Sequence, residues 1–159
     1  MHYRQATLDE DSILITHYLA IWDSYGVSRD LFLPDAEEQV ARFIAEGRAR
    51  YQLGAVVAVD SDQILGSCIY QLLISPYPEV LRTDQRLRGY IWSVYVAAAA
   101  RKQGVGLHLV ERAVERLEGI GCTDVLLHAS DAGQKLYAAL GFQPTKEMRL
   151  KLRTTLAPP

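Results

Sequence analysis

A short glycine-containing segment in the second half of the chain has the residue types of an anion-binding loop. Residues 101–106 read RKQGVG, between an apolar, strand-like run and a helical pattern. Gly104 and Gly106 have no Cβ, so a ligand can approach the main chain closely. The helix that follows presents unpaired N–H groups and the positive end of its dipole. Because Arg101 and Lys102 add positive charge, the segment suits a phosphate group.

The loop is not specific by itself. It has neither the Lys-Ser/Thr ending of a P-loop nor the G-x-G-x-x-G spacing of a dinucleotide-binding turn. Two glycines between a strand and a helix more often serve only to turn the chain. Whether the loop is a ligand site or a plain turn therefore depends on the helices and strands around it.

Hydrophobic periodicity predicts a mixed α/β domain around the loop. Thr7 and Glu10 form a capping-box pattern before a helix that Gly26 ends, and Pro34 suits the first turn of a second helix. We expect strands joined by a turn to pair antiparallel and strands joined by a helix to run parallel. The predicted order is β-α-α-β-β-β-α-β-α-β, with strands at 2–6, 51–59, 63–74, 90–96, 123–129 and 143–153 and helices at 7–25, 31–49, 104–121 and 132–140.

The composition limits the function. The 159 residues suit one domain, which we place at 1–153 with a loose tail at 154–159. A net charge of −2 argues against a nucleic-acid partner. Cys68 and Cys122 lack the spacing of a metal site, and no run is apolar enough for a signal peptide or a membrane span. We therefore expect a cytoplasmic protein with no metal.

Two separated segments resemble the signatures of the GNAT superfamily of acyl-CoA-dependent N-acyltransferases. Residues 90–114 read YIWSVYVAAAARKQGVGLHLVERAV, and residues 126–142 read LLHASDAGQKLYAALGF. The predicted element order matches that superfamily over nearly the whole chain. The resemblance implies a GNAT-like fold and an N-acetyltransferase. Such an enzyme moves acetyl from its co-substrate acetyl-CoA to a primary amine of a small molecule or peptide, by direct attack in a ternary complex.

The same resemblance implies which residues bind the donor. The loop backbone would hold the CoA pyrophosphate, with Arg101 and Lys102 beside it, and the end of the strand before the loop would hydrogen-bond pantetheine. Strand 123–129 would splay away to open a space for the thioester, and Tyr137 would lie near the sulfur and protonate the leaving thiolate. The implied CoA-binding residues are Val94, Tyr95, Val96, Arg101, Lys102, Gln103, Gly104, Val105, Gly106, Leu107 and Ser130.

Two features of the family are missing. Many relatives carry a glutamate on the strand before the loop as a general base, but here the stretch contains Trp92 and Ser93. An asparagine that contacts pantetheine in many relatives is also absent, and Ser130 or His128 would take its place. The base therefore comes from elsewhere or the amine arrives neutral, and the backbone N–H of Val96 or Tyr95 would stabilise the oxyanion.

The acceptor candidates lie on the N-terminal helices, in the loop before the motif strand and on that strand. They are the aromatic residues Trp22, Tyr77 and Trp92 and the acids Asp23 and Glu79, which would recognise an amine or serve as base. Tyr25 and Tyr90 are further aromatics that could line this site. Aromatic residues at such positions also serve as plain packing.

Tyr137 and His128 have ordinary alternatives too, as a core tyrosine and a core histidine. A second class of function stays open beside the enzyme, namely a non-catalytic acyl-CoA-binding or sensing module. The missing carboxylate and asparagine motivate that alternative. By analogy with relatives, a homodimer is a further expectation.

Overall fold

A single five-stranded sheet organises the chain in the computed structural model, which describes residues 1–152. The predicted tail at 154–159 and the predicted domain end at 153 lie outside the described residues. The elements in chain order are β1 (His2–Gln5), α1 (Asp11–Ser24), α2 (Ala36–Arg50), β2 (Gly54–Asp60), β3 (Gln63–Leu72), β4 (Arg88–Val96), α3 (Val105–Ile120), β5 (Asp124–Leu126) and α4 (Gln134–Ala139).

The strands follow one another across the sheet in chain order, β1-β2-β3-β4-β5. The β2–β3 hairpin is antiparallel and the β4–β5 pair, joined by α3, is parallel, which confirms both predictions. The β1–β2 pair is antiparallel, so the expectation of parallel strands across a helical connection is wrong here. The reason is that two helices, α1 and α2, carry the chain out and back, so β2 starts at the end of the sheet where β1 stopped.

The predicted last strand at 143–153 is also wrong in its described part. Residues 143–152 form no strand, and Met148, Leu150 and Leu152 are 94%, 82% and 77% exposed. A strand at a sheet edge needs an extended neighbour, and β5 offers only three residues. Pro34 similarly lies before α2 and not in its first turn, since Asp35 is the N-cap.

Helices cover both faces of the sheet, and β2 contributes to both cores. Val56 and Ala58 pack in the core beneath α3, whereas Val57 and Val59 pack in the core beneath α1 and α2. A strand covered on both faces reads as a continuous apolar run, which explains why 55–59 lacks polar alternation. The sheet therefore separates an α3 side from an α1–α2 side.

Candidate active site

The loop before α3 has the backbone geometry of an anion site. Lys102 and Gly104 adopt positive φ, at +61° and +79°. The first bond of the helix runs from the His108 N–H to the Gly104 carbonyl at 3.2 Å, and among the described residues the N–H groups of 102–107 donate to no other backbone group. These donors and the dipole of α3 together favour an anion in front of the helix.

Other residues of the loop hold its shape. The Arg101 Nε donates to the Val96 carbonyl at 3.0 Å, and the Gln103 side chain donates to the Ala99 carbonyl at 2.9 Å. Gly106 permits close packing, because a Cβ there would lie 3.0 Å from a methyl of Leu136 on α4. The predicted loop residues are thus brought together, with Arg101 bracing the loop from its side.

The strands β4 and β5 diverge directly beside this loop. Their ladder ends at Tyr90, so residues 91–96 of β4 have a free edge toward β5, and the predicted splay is confirmed. The Ala97 N–H donates to the carbonyl of Leu65 on β3 at 2.8 Å, so it points away from β5. Because antiparallel pairing alternates along a strand, the N–H of Val96 then points to the free edge.

A β-bulge interrupts β4 within that free edge. The pairing with β3 passes from Tyr95 to Trp92 while β3 advances by two residues, which leaves Ser93 and Val94 in the bulge. Ser93 has a φ of +54°, and its buried hydroxyl lacks a hydrogen-bond partner among the described residues. Backbone strain and an unpaired buried polar atom at one residue are typical of a functional site.

A narrow cavity of about 160 Å³ lies where β4 and β5 separate. Ser93 and Val94 line one wall, and His128, Ser130 and Tyr137 line the other. We call it the narrow cavity. Residues from both sequence motifs, 90–114 and 126–142, therefore line the same cavity.

Tyr137 lies on α4 with its ring in a close-fitting environment. The ring meets Phe142 edge-on at 5.9 Å between centroids, and a Cβ at Gly133 would lie 2.7 Å from its Cε2. Burial raises the pKa of Tyr137 to about 12, so the phenol stays protonated at neutral pH. The Ser130 Oγ accepts from the Gly133 N–H at 3.2 Å and so fixes the turn before α4.

A hydrogen-bonded chain of three side chains crosses from β4 to the C-terminal segment. The Tyr90 hydroxyl bonds to His128 Nδ1, and His128 Nε2 lies 2.9 Å from Glu147 Oε2. The His128 side chain is 72% exposed, so the core-histidine interpretation is wrong. An imidazole with a phenol at one ring nitrogen and a carboxylate at the other is suited to take a proton from the phenol side.

A second, wide cavity of about 630 Å³ lies between α1, α2 and the sheet. We call it the wide cavity. Tyr18, Trp22 and Trp92 line both cavities, which therefore share a wall. Tyr90 also lines the wide cavity while its partner His128 lines the narrow one. The three-residue chain thus links the two spaces.

Tyr25 also lines the narrow cavity, whereas Asp23, Tyr77 and Glu79 lie outside both cavities. Asp23 forms an ion pair with Arg29 at 2.5 Å. Glu79 pairs with Arg88, whose guanidinium holds the pKa of that carboxyl below its usual range, and Tyr77 accepts from Arg88 at 3.1 Å. Both acids are engaged with arginines, so neither is placed as a free base or an amine-binding group.

Sequence reasoning missed Glu147 and the special character of Ser93. Glu147 falls in the segment that was predicted as a strand, and no motif marks it. From the sequence, Ser93 was considered only as a residue that stands where many relatives have a glutamate. A single apolar strand sequence does not reveal a β-bulge, because the bulge depends on the pairing with the neighbouring strand. Within residues 1–152, no cluster of His, Cys, Asp and Glu is arranged to hold a metal ion, and none of the helices there is long and apolar enough to cross a membrane.

Comparisons with known proteins agree with this geometry. No protein with a curated description matches the chain significantly. Among solved structures, a predicted acetyltransferase with acetyl-CoA from Clostridium acetobutylicum is 22% identical, with 96% of this chain and 95% of that chain covered and a TM-score of 0.80. A GCN5-related N-acetyltransferase from Ralstonia eutropha JMP134 is 24% identical, with 95% and 97% covered and a TM-score of 0.75.

A glucosamine-6-phosphate N-acetyltransferase from Arabidopsis thaliana is 17% identical, with 96% and 99% covered and a TM-score of 0.66. At these identities the structures show a shared fold, which confirms the mixed α/β architecture predicted above. The model of the Acetyltransferase (GNAT) family matches residues 18–142, which include the loop, the bulge and α4. The chain therefore belongs to the GNAT acetyltransferase family and is an acetyltransferase.

Proposed function

We propose that the protein transfers acetyl from acetyl-CoA to a primary amine by direct attack in a ternary complex. One observation supports this above all: the free donors of residues 102–107, the free edge of β4 and the narrow cavity with Tyr137 form one continuous path. Its order matches the order of groups along acetyl-CoA, from pyrophosphate through pantetheine to thioester.

Each part of the path has a role in binding the donor. The N–H groups of Gln103 to Leu107 take the pyrophosphate, and Lys102 adds charge beside it. Val94, Tyr95 and Val96 bind pantetheine as an added strand, since their edge is unpaired. Ser130 replaces the family asparagine at the turn before α4. The N–H of Val96, which the strand alternation turns to the free edge, supports the oxyanion.

We assign the leaving group to Tyr137. When the C–S bond breaks, the sulfur gains negative charge and needs a donor. A pKa of about 12 for Tyr137 lies above the ~8.5 of an ordinary thiol. Complete proton transfer from phenol to thiolate is therefore uphill, and Tyr137 acts first as a hydrogen-bond donor that stabilises the developing thiolate.

We assign the missing general base to His128. The ammonium of the acceptor must lose a proton before its nitrogen can attack. Because the Tyr90 hydroxyl occupies Nδ1 and Glu147 occupies Nε2, that proton passes to the Tyr90 oxygen while Tyr90 gives its own proton to His128 Nδ1. Tyr90 connects it to the wide cavity, and Glu147 stabilises the imidazolium that results. The nitrogen then forms a bond to the carbonyl carbon, and the intermediate carries an oxyanion and a positively charged nitrogen. As the oxyanion collapses and the C–S bond breaks, the nitrogen loses its second proton and the departing sulfur takes one up, so the products are the amide and the CoA thiol.

The experiment that tests this proposal measures thiol release from acetyl-CoA with a panel of primary amines, alongside calorimetry with CoA. We expect Tyr137→Phe to lower kcat by about 10- to 100-fold with CoA affinity unchanged, the scale expected of one lost transition-state hydrogen bond. Tyr51→Phe, which changes a tyrosine outside both cavities, is the control. Full turnover in Tyr137→Phe would remove its assigned role.

The alternative of a non-catalytic acyl-CoA module rests on the missing carboxylate and the missing asparagine. The Tyr90–His128–Glu147 chain supplies a candidate for the first and Ser130 a candidate for the second, which favours the enzyme. Binding of acetyl-CoA without turnover on any amine would restore that alternative.

The homodimer stays a prediction. So does the cytoplasmic location, for which the free thiols of Cys68 and Cys122 are the support.

A further inference from the structure

The wide cavity has an uncharged, mostly apolar lining. It is built from α1, α2, the segment between them and the sheet, and among the described residues that line it none is Asp, Glu, Lys, Arg or His. Its most buried polar group is Gln71, which is 3% exposed and accepts from Trp92 Nε1 at 3.3 Å. A charged substrate group would therefore find no ionic partner there.

Aromatic rings give this cavity a firm wall. Trp92 meets Phe43 and Tyr18 edge-on, with ring centroids 5.3 and 5.5 Å apart. Leu31 and Leu33, which also line the cavity, are 73% and 63% exposed. A contiguous group of exposed apolar side chains around a concave surface is typical of a binding site for an apolar ligand.

The position of the cavity determines what kind of ligand it takes. Because Tyr18, Trp22 and Trp92 also line the narrow cavity, the wide cavity lies directly beside the site to which we assign acetyl transfer. A volume of about 630 Å³ falls within the range of ~300–1,000 Å³ of small-molecule sites. The occupant therefore has an apolar body in the wide cavity and a nucleophile at one end.

We infer that the acceptor is a primary amine attached to an apolar body, an aromatic ring or an alkyl chain, which the wide cavity holds while the amine enters the narrow cavity. This inference rests on the proposed function and specifies its substrate class. A sugar phosphate or a polycationic sugar is excluded, since its charges would lose water without gaining a partner.

The test is a titration with the linear amines from n-propylamine to n-hexylamine, which differ only in apolar length. Both tryptophans of the chain line the cavity, so intrinsic tryptophan fluorescence reports its occupation without any turnover. We expect Kd to fall about fourfold for each added methylene, which is the factor that corresponds to ~0.8 kcal/mol per buried CH₂. With acetyl-CoA present, kcat/KM for thiol release should rise in parallel.

A matched pair of variants locates the effect. Ala36 lines the wide cavity, whereas Ala45 lies on the same helix, exposed and outside it. Ala36→Phe should fill space and weaken n-hexylamine binding by at least tenfold, and Ala45→Phe should leave it unchanged. Both variants should bind CoA as the parent does, which shows that the fold and the donor site are intact.

The outcomes separate this inference from the function on which it rests. Affinities that do not depend on chain length, or tighter binding of glucosamine 6-phosphate than of n-hexylamine, would overturn the apolar acceptor even if thiol is released. Length-dependent binding without thiol release would support the cavity as an apolar binding site but refute acetyl transfer to the amines that it binds. A dimer that Ala36→Phe dissociates and that n-hexylamine does not affect would instead show the cavity to be an interface between copies, which also overturns the inference.

Discussion

Gly104 at the start of α3 allows backbone strain and anion binding to be tested separately. Its φ is +79°, and a Cβ there would have only His108 Nε2 within 4 Å, at 4.0 Å. Steric clash is therefore not the reason that glycine is needed. Any other residue would adopt a left-handed conformation, which costs about 1–2 kcal/mol, and an acid would in addition repel the anion in front of the helix.

The magnitudes follow from that geometry. Gly104→Ala adds only strain, so we expect the free energy of unfolding to fall by about 1 kcal/mol and the affinity for CoA to stay within about threefold. Gly104→Asp would place a carboxylate beside the proposed pyrophosphate site, and repulsion between unit charges at a separation of about 6 Å is about 3 kcal/mol at an effective dielectric constant of ~20. We expect its affinity for CoA to fall by about 100-fold or more.

The assays are urea unfolding and calorimetry with CoA, and Gly121 supplies the control. Gly121 ends the same helix with a φ of +97° and has open space around it. Gly121→Ala and Gly121→Asp should therefore lose similar stability without any change in CoA binding. If folded Gly104→Asp binds CoA within threefold of the parent, the pyrophosphate does not lie at this loop and the assignment is refuted.

Four further predictions concern stability and chemistry. Burial lowers the pKa of His17 to about 4, below its ordinary 6.5, so the unfolding free energy should fall by about 2–3 kcal/mol as pH drops from 6.5 to 4, and His17→Gln should flatten this slope in urea titrations. The hydrogen bond from Arg4 lowers the pKa of Glu10 to about 2 from 4.5, so a further loss of about 1–2 kcal/mol should appear as pH falls from 4.5 toward 2 and vanish in Glu10→Gln. Ser93→Ala removes an unpaired buried hydroxyl and should raise stability by about 1 kcal/mol while lowering kcat, and an unchanged kcat would deny Ser93 a role at the site. Leu109→Ala should cost about 3 kcal/mol of unfolding free energy, since Leu109 is fully buried between α3 and the sheet, and a loss below 1 kcal/mol would contradict that packing.

The geometry of the loop to which we assign the donor was predictable from sequence because it depends on local backbone signals. Glycines at 104 and 106 and a helical pattern after them determine a loop whose geometry depends on few distant contacts. The resemblance then placed Tyr137 and the edge of β4, and the structure brings both to the narrow cavity. Trp22 and Trp92 were also predicted at the acceptor side and line both cavities.

The acid and base candidates were less predictable because their partners come from distant parts of the chain. Asp23 and Glu79 have the right chemistry, but the fold places Arg29 and Arg88 against them. Glu147 reaches His128 from a C-terminal segment that forms no strand. Neither the ion pairs nor the missing edge strand leaves a periodic pattern in the sequence. Both could therefore be identified only from the three-dimensional structure.

The sheet itself has a consequence for how specificity can change. The helix that carries the anion loop packs on one face, whereas α1 and α2, which build most of the wide cavity, pack on the other with a separate set of buried residues. Substitutions far apart and without shared partners have nearly additive effects on free energy. Substitutions of Leu31 or Ala36, which line the wide cavity but not the narrow one, should therefore change the affinity for amines without changing the affinity for acetyl-CoA.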